Sequence, residues 1–219
     1  MCFSASVSFT TGLVIATVGV LALRQARRPE IRLLAAIPLL FGVQQLTEGF
    51  IWLALDRADT GPALHGLAQF YAFFVGMVWP VLIPLSLLLL EPHAMRRRLI
   101  GMVVALGGAM AVYTLVVMAL YGFSVHVEHQ CLVYQNPAGI WPGMEMVYLL
   151  ATCGAFFIAS DHRLHWLGVA NLVGFGIAAS FFSLNLPSVW CFCAAVISSL
   201  LYWYVRDDAR VAPVAANPG

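Results

Sequence analysis

Seven apolar runs dominate this chain, and each is long enough to cross about 30 Å of hydrocarbon at 1.5 Å per residue. They are Ala5–Leu23, Leu33–Leu55, Leu67–Leu90, Leu99–Tyr121, Gly143–Ala159, Leu164–Phe182 and Ser188–Tyr204. Backbone N–H and C=O groups inside lipid must be satisfied within the structure, so only helices or a closed barrel fit such runs. Barrel strands are about 9–11 residues long and alternate in polarity. These runs are longer and continuous. The fold class is therefore predicted as an all-α membrane protein, a bundle of seven transmembrane helices. Composition agrees: 62% of the 219 residues are hydrophobic and 10% are charged, against about 25% charged in soluble domains. Domain organisation follows as 1–204 for the seven-helix domain and 205–219 for a short, Ala/Pro-containing tail expected to be disordered.

Orientation is read from arginine. The chain has no lysine; all 11 basic residues are Arg. Arg24, Arg27, Arg28 and Arg32 lie between runs one and two, Arg96, Arg97 and Arg98 between three and four, Arg163 between five and six, and Arg206 and Arg210 after run seven. If the chain alternates seven times, these ten share one side and only Arg57 faces the other. The positive-inside rule then puts the N-terminus outside and the C-terminus in the cytoplasm. Trp52, Trp141 and Trp190 fall near outer ends, Trp166 and Trp203 near inner ends, as interfacial anchors would. Met1–Phe9 lacks the basic region and small-residue cleavage site of a secretory signal, so the first run is expected to remain as a helix. All-arginine usage fits a GC-rich bacterial genome, and the expected location is a bacterial inner membrane. A net charge of +1 and the absence of a basic stripe exclude a nucleic-acid partner. Beyond the lipid bilayer itself, the partner expected is a small ligand or ion.

Within the second run stands Glu48. A charge at the centre of a spanning helix costs about 2.5–3.5 kcal/mol on insertion scales, and such residues are usually used or paired. Gln44, Glu48 and Trp52 recur at i, i+4, i+8 and share a face, with Gln45 adjacent. Alternation brings Gln69 and Tyr71 to similar depth on the third helix, Glu145 and Tyr148 to the start of the fifth, and Ser188, Trp190 and Cys191 to the start of the seventh. The polar residues thus collect in the outer halves of the helices, while the inner halves of helices three and four are nearly all Leu, Val, Ala and Gly. A cup open to the outside is predicted, with Gln44, Gln45, Glu48, Gln69, Tyr71, Glu145, Tyr148 and Trp190 as ligand-binding residues. Against this stands a structural reading, in which Glu48 is a protonated group hydrogen-bonded to Gln44, Gln69 or a neighbouring helix at about 0.6 kcal/mol. Glu145 equally suits a first-turn helix acid.

Four of the five cysteines, Cys2, Cys131, Cys191 and Cys193, fall near the outer side; Cys153 suits a small apolar filler. An oxidising compartment permits a disulfide between Cys131 and either Cys2 or Cys191. The outer segment Gly122–Pro142 reads as a loop carrying His126, Glu128, His129 and Cys131. Cys2, Glu48, His126 and Cys191 are the set that could hold a soft or borderline transition metal as cofactor, since a thiol beside an α-amine is a soft-metal donor. Catalytic hydrolase, P-loop, haem and H-E-x-x-H motifs are absent, so no catalytic residue is assigned.

Three motifs carry a family resemblance: Met1-Cys2-Phe3-Ser4-Ala5-Ser6; Ile37-Pro38-Leu39-Leu40-Phe41 with Gln44-Gln45-x-Thr47-Glu48-Gly49; and Ser188-Val189-Trp190-Cys191-Phe192 with Ala194-Ala195. Together they resemble a family of uncharacterised bacterial multi-pass membrane proteins that open with the MCFSA string. The resemblance covers nearly the whole chain. It implies the seven-helix architecture and marks Cys2, Gln44, Gln45, Glu48, Trp190 and Cys191 as shared motif positions; it implies no activity. Three functions remain open. A receptor or binding protein with a small ligand or metal in the cup asks least of the residues. An intramembrane enzyme would use Glu48 as acid/base with Cys2 or Cys191. A transporter would need polar residues in both halves of the bundle, and the inner half lacks them.

Overall fold

The computed structural model describes residues 4–58, 60–128, 131–139, 143–181 and 185–211. Six helices are long and apolar enough to cross a membrane: α1 (Ala5–Gln25), α2 (Pro29–Asp56), α3 (Pro62–Leu90), α4 (Ala94–Leu120), α6 (His162–Phe181) and α7 (Leu186–Arg210). A seventh apolar helix, α5 (Met144–Ile158), is shorter. Each falls on one of the seven apolar runs. Six long apolar helices mark a multi-pass membrane protein.

Local chemistry sets the helix starts. The Ser4 hydroxyl accepts from the Val7 N–H at the head of α1. Proline stands in the first turns of α2, α3 and α7, where its missing N–H costs nothing and its fixed φ suits the helix. Both α3 and α5 contain a π turn, Phe74–Val78 and Leu150–Gly154; such turns are rare and are frequent at functional sites.

The centre of the bundle is α2. Of its apolar window 67% is buried, against 28% in each of α1, α4 and α6, so α2 meets protein on nearly all sides. Its partner α1 approaches closely through glycine. A Cβ on Gly19 would lie 2.2 Å from the Leu39 backbone nitrogen, and one on Gly42 would lie 2.7 Å from the backbone nitrogen of Ala16. Small residues at helix contacts in lipid allow this dispersion-driven packing. Across the bundle, the Phe41 ring of α2 stacks on Trp79 of α3 at 3.8 Å between centroids, within a core that also includes Ile37, Phe74, Ala195 and Leu201.

The segment expected to be a loop, Gly122–Pro142, contains an antiparallel hairpin instead: β1 (Ser124–Glu128) and β2 (Cys131–Gln135), paired with Val125 opposite Tyr134 and Val127 opposite Leu132. Its inner residues Val125 and Leu132 pack with Trp52, Tyr71 and Cys191, and Asn185 Nδ2 donates to the Leu132 carbonyl at 3.2 Å. The hairpin thereby roofs one end of the bundle. Trp52 and Trp190, expected as interfacial anchors, are buried: Trp52 shares a helix face with Glu48 and turns inward with it, and Trp190 packs between Tyr148 and Phe175. Trp166 and Trp203 are exposed. Trp141 lies outside the described residues.

The opposite end gathers the arginine-rich connections. Arg28 donates twice to Asp208, at 3.1 and 2.5 Å. Arg96 Nη1 donates to the carbonyls of Ile158 and Ala159, each at 3.0 Å. The Tyr204 hydroxyl donates to Asp161 at 3.1 Å. The α1–α2, α3–α4 and α5–α6 connections and the end of α7 therefore meet, and the helices alternate in direction. The tail expected to be disordered from Val205 is helical as far as Val211. Val205 and Ala209 are buried and Asp208 is held by Arg28, which anchors this last stretch.

Glu91 ties this end together. Its buried carboxylate accepts from the Ser160 N–H at 2.7 Å, the Ser160 hydroxyl at 2.5 Å and the His93 N–H at 3.0 Å. Burial pushes the Glu91 carboxyl up, but these hydrogen bonds outweigh it and hold the group below the usual range. The hydrogen-bonded Arg163 guanidinium, opposed by burial, likewise holds Asp161 low. A depressed carboxyl stabilises above its unfolded pKa and loses that contribution as pH falls through its folded value. These two groups thus contribute a steady stability near neutrality that is lost below about pH 4.5, read as an acid fall in the midpoint of thermal unfolding in mild detergent. Glu91→Gln should flatten part of that acid slope and cost about 1–3 kcal/mol at pH 7. An unchanged slope in this variant would refute the assignment.

Candidate functional site

Glu48 faces the interior of the bundle and has no exposed surface. It sits on α2 two turns from the hairpin end, on the face turned towards α3 and α7. The Ser188 hydroxyl, in the first turn of α7, donates to Glu48 Oε1. One turn below, Gln44 Oε1 accepts from Trp79 Nε1 at 2.7 Å. Gln45 lies alongside the Glu48 carboxyl without hydrogen-bond geometry. Four atoms of this buried cluster have no partner among the described residues: Glu48 Oε2, Gln44 Nε2, and Gln45 Oε1 and Nε2. Buried polar groups are nearly always hydrogen-bonded, so a cluster left so incomplete is unusual.

Beside the cluster lies a cavity of about 440 Å³, within the size range of small-molecule pockets. It runs between α3, α4, the hairpin, α5, the neighbouring part of α6 and the start of α7. Tyr71, Pro187 and Cys191 line it and separate it from the carboxyl. Tyr71 donates to the Pro187 carbonyl at 3.5 Å and stacks on Tyr134 of the hairpin at 4.3 Å. Cys191 lies against Gln44 and Tyr71. Ser188, the partner of Glu48, directly follows Pro187. Wall and cluster are thus continuous.

The sequence-predicted residues divide between these two places. Gln44, Gln45 and Glu48 form the buried cluster, while Tyr71, Glu145, Tyr148 and Trp190 line the cavity. Tyr148 and Phe175 both meet the Trp190 ring edge-on, at 5.2 and 4.9 Å. Gln69 joins neither: its Nε2 pairs with His65 at 3.0 Å and presses on Gly122. Gly122 has φ +71°, a conformation that glycine adopts without strain as α4 gives way to the hairpin. Glu145 is exposed at the cavity rim in the first turn of α5.

Of the metal set, Cys2 lies outside the described residues. His126 is half-exposed on β1 and pairs with Glu128 at 3.8 Å. Cys191 is buried and free. Among the described residues no three His, Cys, Asp or Glu side chains gather to hold a metal ion. Cys131 is disulfide-bonded, and because Cys191 is free the Cys131–Cys191 pairing is excluded. Sequence reasoning missed Ser188 as the partner of Glu48, Trp79 as the partner of Gln44, and the whole α4 wall of the cavity, Met110, Thr114 and Val117. Those α4 residues are ordinary apolar or small side chains and carry no signal of their own.

No curated protein and no solved structure matches the chain. The Gln-Gln-x-Thr-Glu and Ser-Val-Trp-Cys motifs, which bring together the Glu48 cluster and the cavity wall, sit inside a family match that spans residues 1–216, and the chain belongs to that family, the family of unknown function DUF6629.

Proposed function

We propose that this protein is a seven-span membrane protein of a bacterial inner membrane, with its N-terminus and hairpin outside and its C-terminus in the cytoplasm, and that it binds a small ligand in the cavity beside Glu48. The alternation of the helices and the meeting of ten arginine-side positions at one end support the orientation. The α5 helix is short for a span; its second half buries Ala151, Thr152, Cys153, Ala155 and Phe156 in the bundle. The observation that carries the binding role is the cavity itself: a half-open space at the hairpin end whose wall residues are backed by a buried carboxyl with an unpartnered oxygen. A ligand site is where an unpaired intramembrane acid is expected. A metal role would need ligands beyond those that the described residues bring together.

Maleimide labelling tests both parts. In intact cells a membrane-impermeant maleimide should modify Thr60→Cys but not Arg97→Cys. In the purified protein in lipid nanodiscs, the apolar N-phenylmaleimide should modify Cys191, mapped by peptide mass, although that thiol is buried from the outer surface. Modification of Arg97→Cys alone would reverse the orientation. A Cys191 and a cavity-lining Val75→Cys that both react only after unfolding would remove the cavity as a ligand site.

A further inference from the structure

The lining of the cavity is sorted by depth and by charge. Its polar members Gln135, Asn136 and Glu145 stand at the hairpin end. Along α4 the wall passes from Val117 through Thr114 to Met110, about 10 Å at 1.5 Å per residue, and faces Val75 and Gly76 of the π turn in α3. The deep part is therefore apolar and elongated. The charged lining residue is the carboxylate of Glu145; the described lining includes no Arg and no His. Three lining residues carry buried polar atoms with no partner among the described residues: Trp190 Nε1, Tyr134 Oη and Asn136 Oδ1. The indole N–H can only donate, the amide oxygen can only accept, and the phenol can do either.

We infer that the cavity takes a single-chain, lipid-like molecule with an uncharged, hydroxyl-bearing head, its chain along α4 and its head beneath the hairpin. This rests on the cavity being the ligand site. A hydroxyl head both donates and accepts, so it suits a lining whose unpartnered groups are a donor, an acceptor and a phenol that can be either. A carboxylate or phosphate head only accepts, and it would meet Glu145 with no cation to offset the repulsion. A quaternary ammonium head would be drawn to Glu145 and to the aromatic faces, but it offers neither donor nor acceptor to the orphaned groups. A volume of about 440 Å³ lies towards the small end of ligand pockets and suits one chain rather than two.

The test is protection of Cys191 from N-phenylmaleimide in nanodiscs at pH 8 by three probes of equal chain length: monolauroylglycerol, laurate and dodecyltrimethylammonium. Monolauroylglycerol should protect, with at least a ten-fold lower half-maximal concentration than either of the others. Val117→Trp, which fills the α4 side of the cavity, should abolish that protection, and Glu145→Gln should narrow the gap to laurate. Equal protection by laurate, or better protection by dodecyltrimethylammonium, overturns the head-group assignment while leaving the site intact. So does an absence of protection by all three in a protein whose Cys191 still reacts. Where Cys191 is silent the protection is read at Val75→Cys on the same lining, and a protein in which both thiols are unreactive removes the ligand site on which the inference rests.

Discussion

Gly107→Ala should be among the most damaging single-methyl changes in this protein. The cause begins in α3, where Pro84 stands inside the helix. It has no N–H to offer the Pro80 carbonyl one turn earlier, so that oxygen is left without its helical partner. Gly107 of α4 packs directly on it: a Cβ there would lie 1.8 Å from the Pro80 oxygen and 2.6 Å from its carbonyl carbon. The contact is with backbone, which cannot swing aside as a flexible side chain can. The two helices must part, and overpacking of this kind costs about 1–3 kcal/mol or more. The α3–α4 seam also forms a wall of the cavity. A lowered unfolding midpoint in mild detergent should therefore come with loss of Cys191 protection by monolauroylglycerol. Gly108→Ala is the control, since a Cβ there meets nothing within 4 Å. Equal midpoints for the two variants would show that the seam is not tight.

The second large effect concerns Glu48 and Ser188 taken together. Glu48→Met leaves the Ser188 hydroxyl buried without its acceptor, at a cost of about 1–3 kcal/mol. Adding Ser188→Ala removes the orphaned hydroxyl as well. Replacing both members of a buried polar pair by apolar groups is often neutral or stabilising, and here one carboxyl oxygen is unpartnered from the start. The double variant is expected to recover most of the lost stability, a coupling that a double-mutant cycle measures directly. It should still fail to bind with parental affinity, because the wall behind Pro187 and Cys191 has lost its polar backing. A double variant as unstable as the sum of the two single changes would mean that the carboxyl serves the fold.

Much of this architecture is legible in the sequence because a bilayer leaves a chain few choices. Apolar length located every helix, and the i, i+4, i+8 spacing of Gln44, Glu48 and Trp52 put them on one inward face. Burial on that face carried Trp52 inside as well, where an interfacial position was expected: periodicity reports which residues share a face, not how thick the protein is beyond it. The hairpin was visible in principle, since Ser124-Val125-His126-Val127-Glu128 alternates with period two and Cys131-Leu132-Val133-Tyr134 favours extended backbone. Spacing puts Gln69 on α3 but does not give its partner, His65, because rotation about a helix axis decides whether a glutamine meets Glu48 or a histidine one turn away. The α4 wall could not be read at all. Met110, Thr114 and Val117 are the residues expected of any membrane helix, and only the packing of α4 against the π turn of α3 turns them towards a space.

The roof over that space has an asymmetry of its own. A two-stranded hairpin is marginal by itself in water, and this one borrows its order from Leu132 set among Trp52 and Cys191 and from the stacking of Tyr134 on Tyr71. Behind the cavity, by contrast, α2 is gripped on nearly every side. One wall is stiff and preset, and the other is only as firm as what lies beneath it. By thermodynamic linkage, an occupant that touches the hairpin must lend it stability in proportion to its own affinity. The hairpin face of the protein would then tighten or loosen according to whether the space beneath it is filled, and occupancy becomes readable at the hairpin without any movement of the helices.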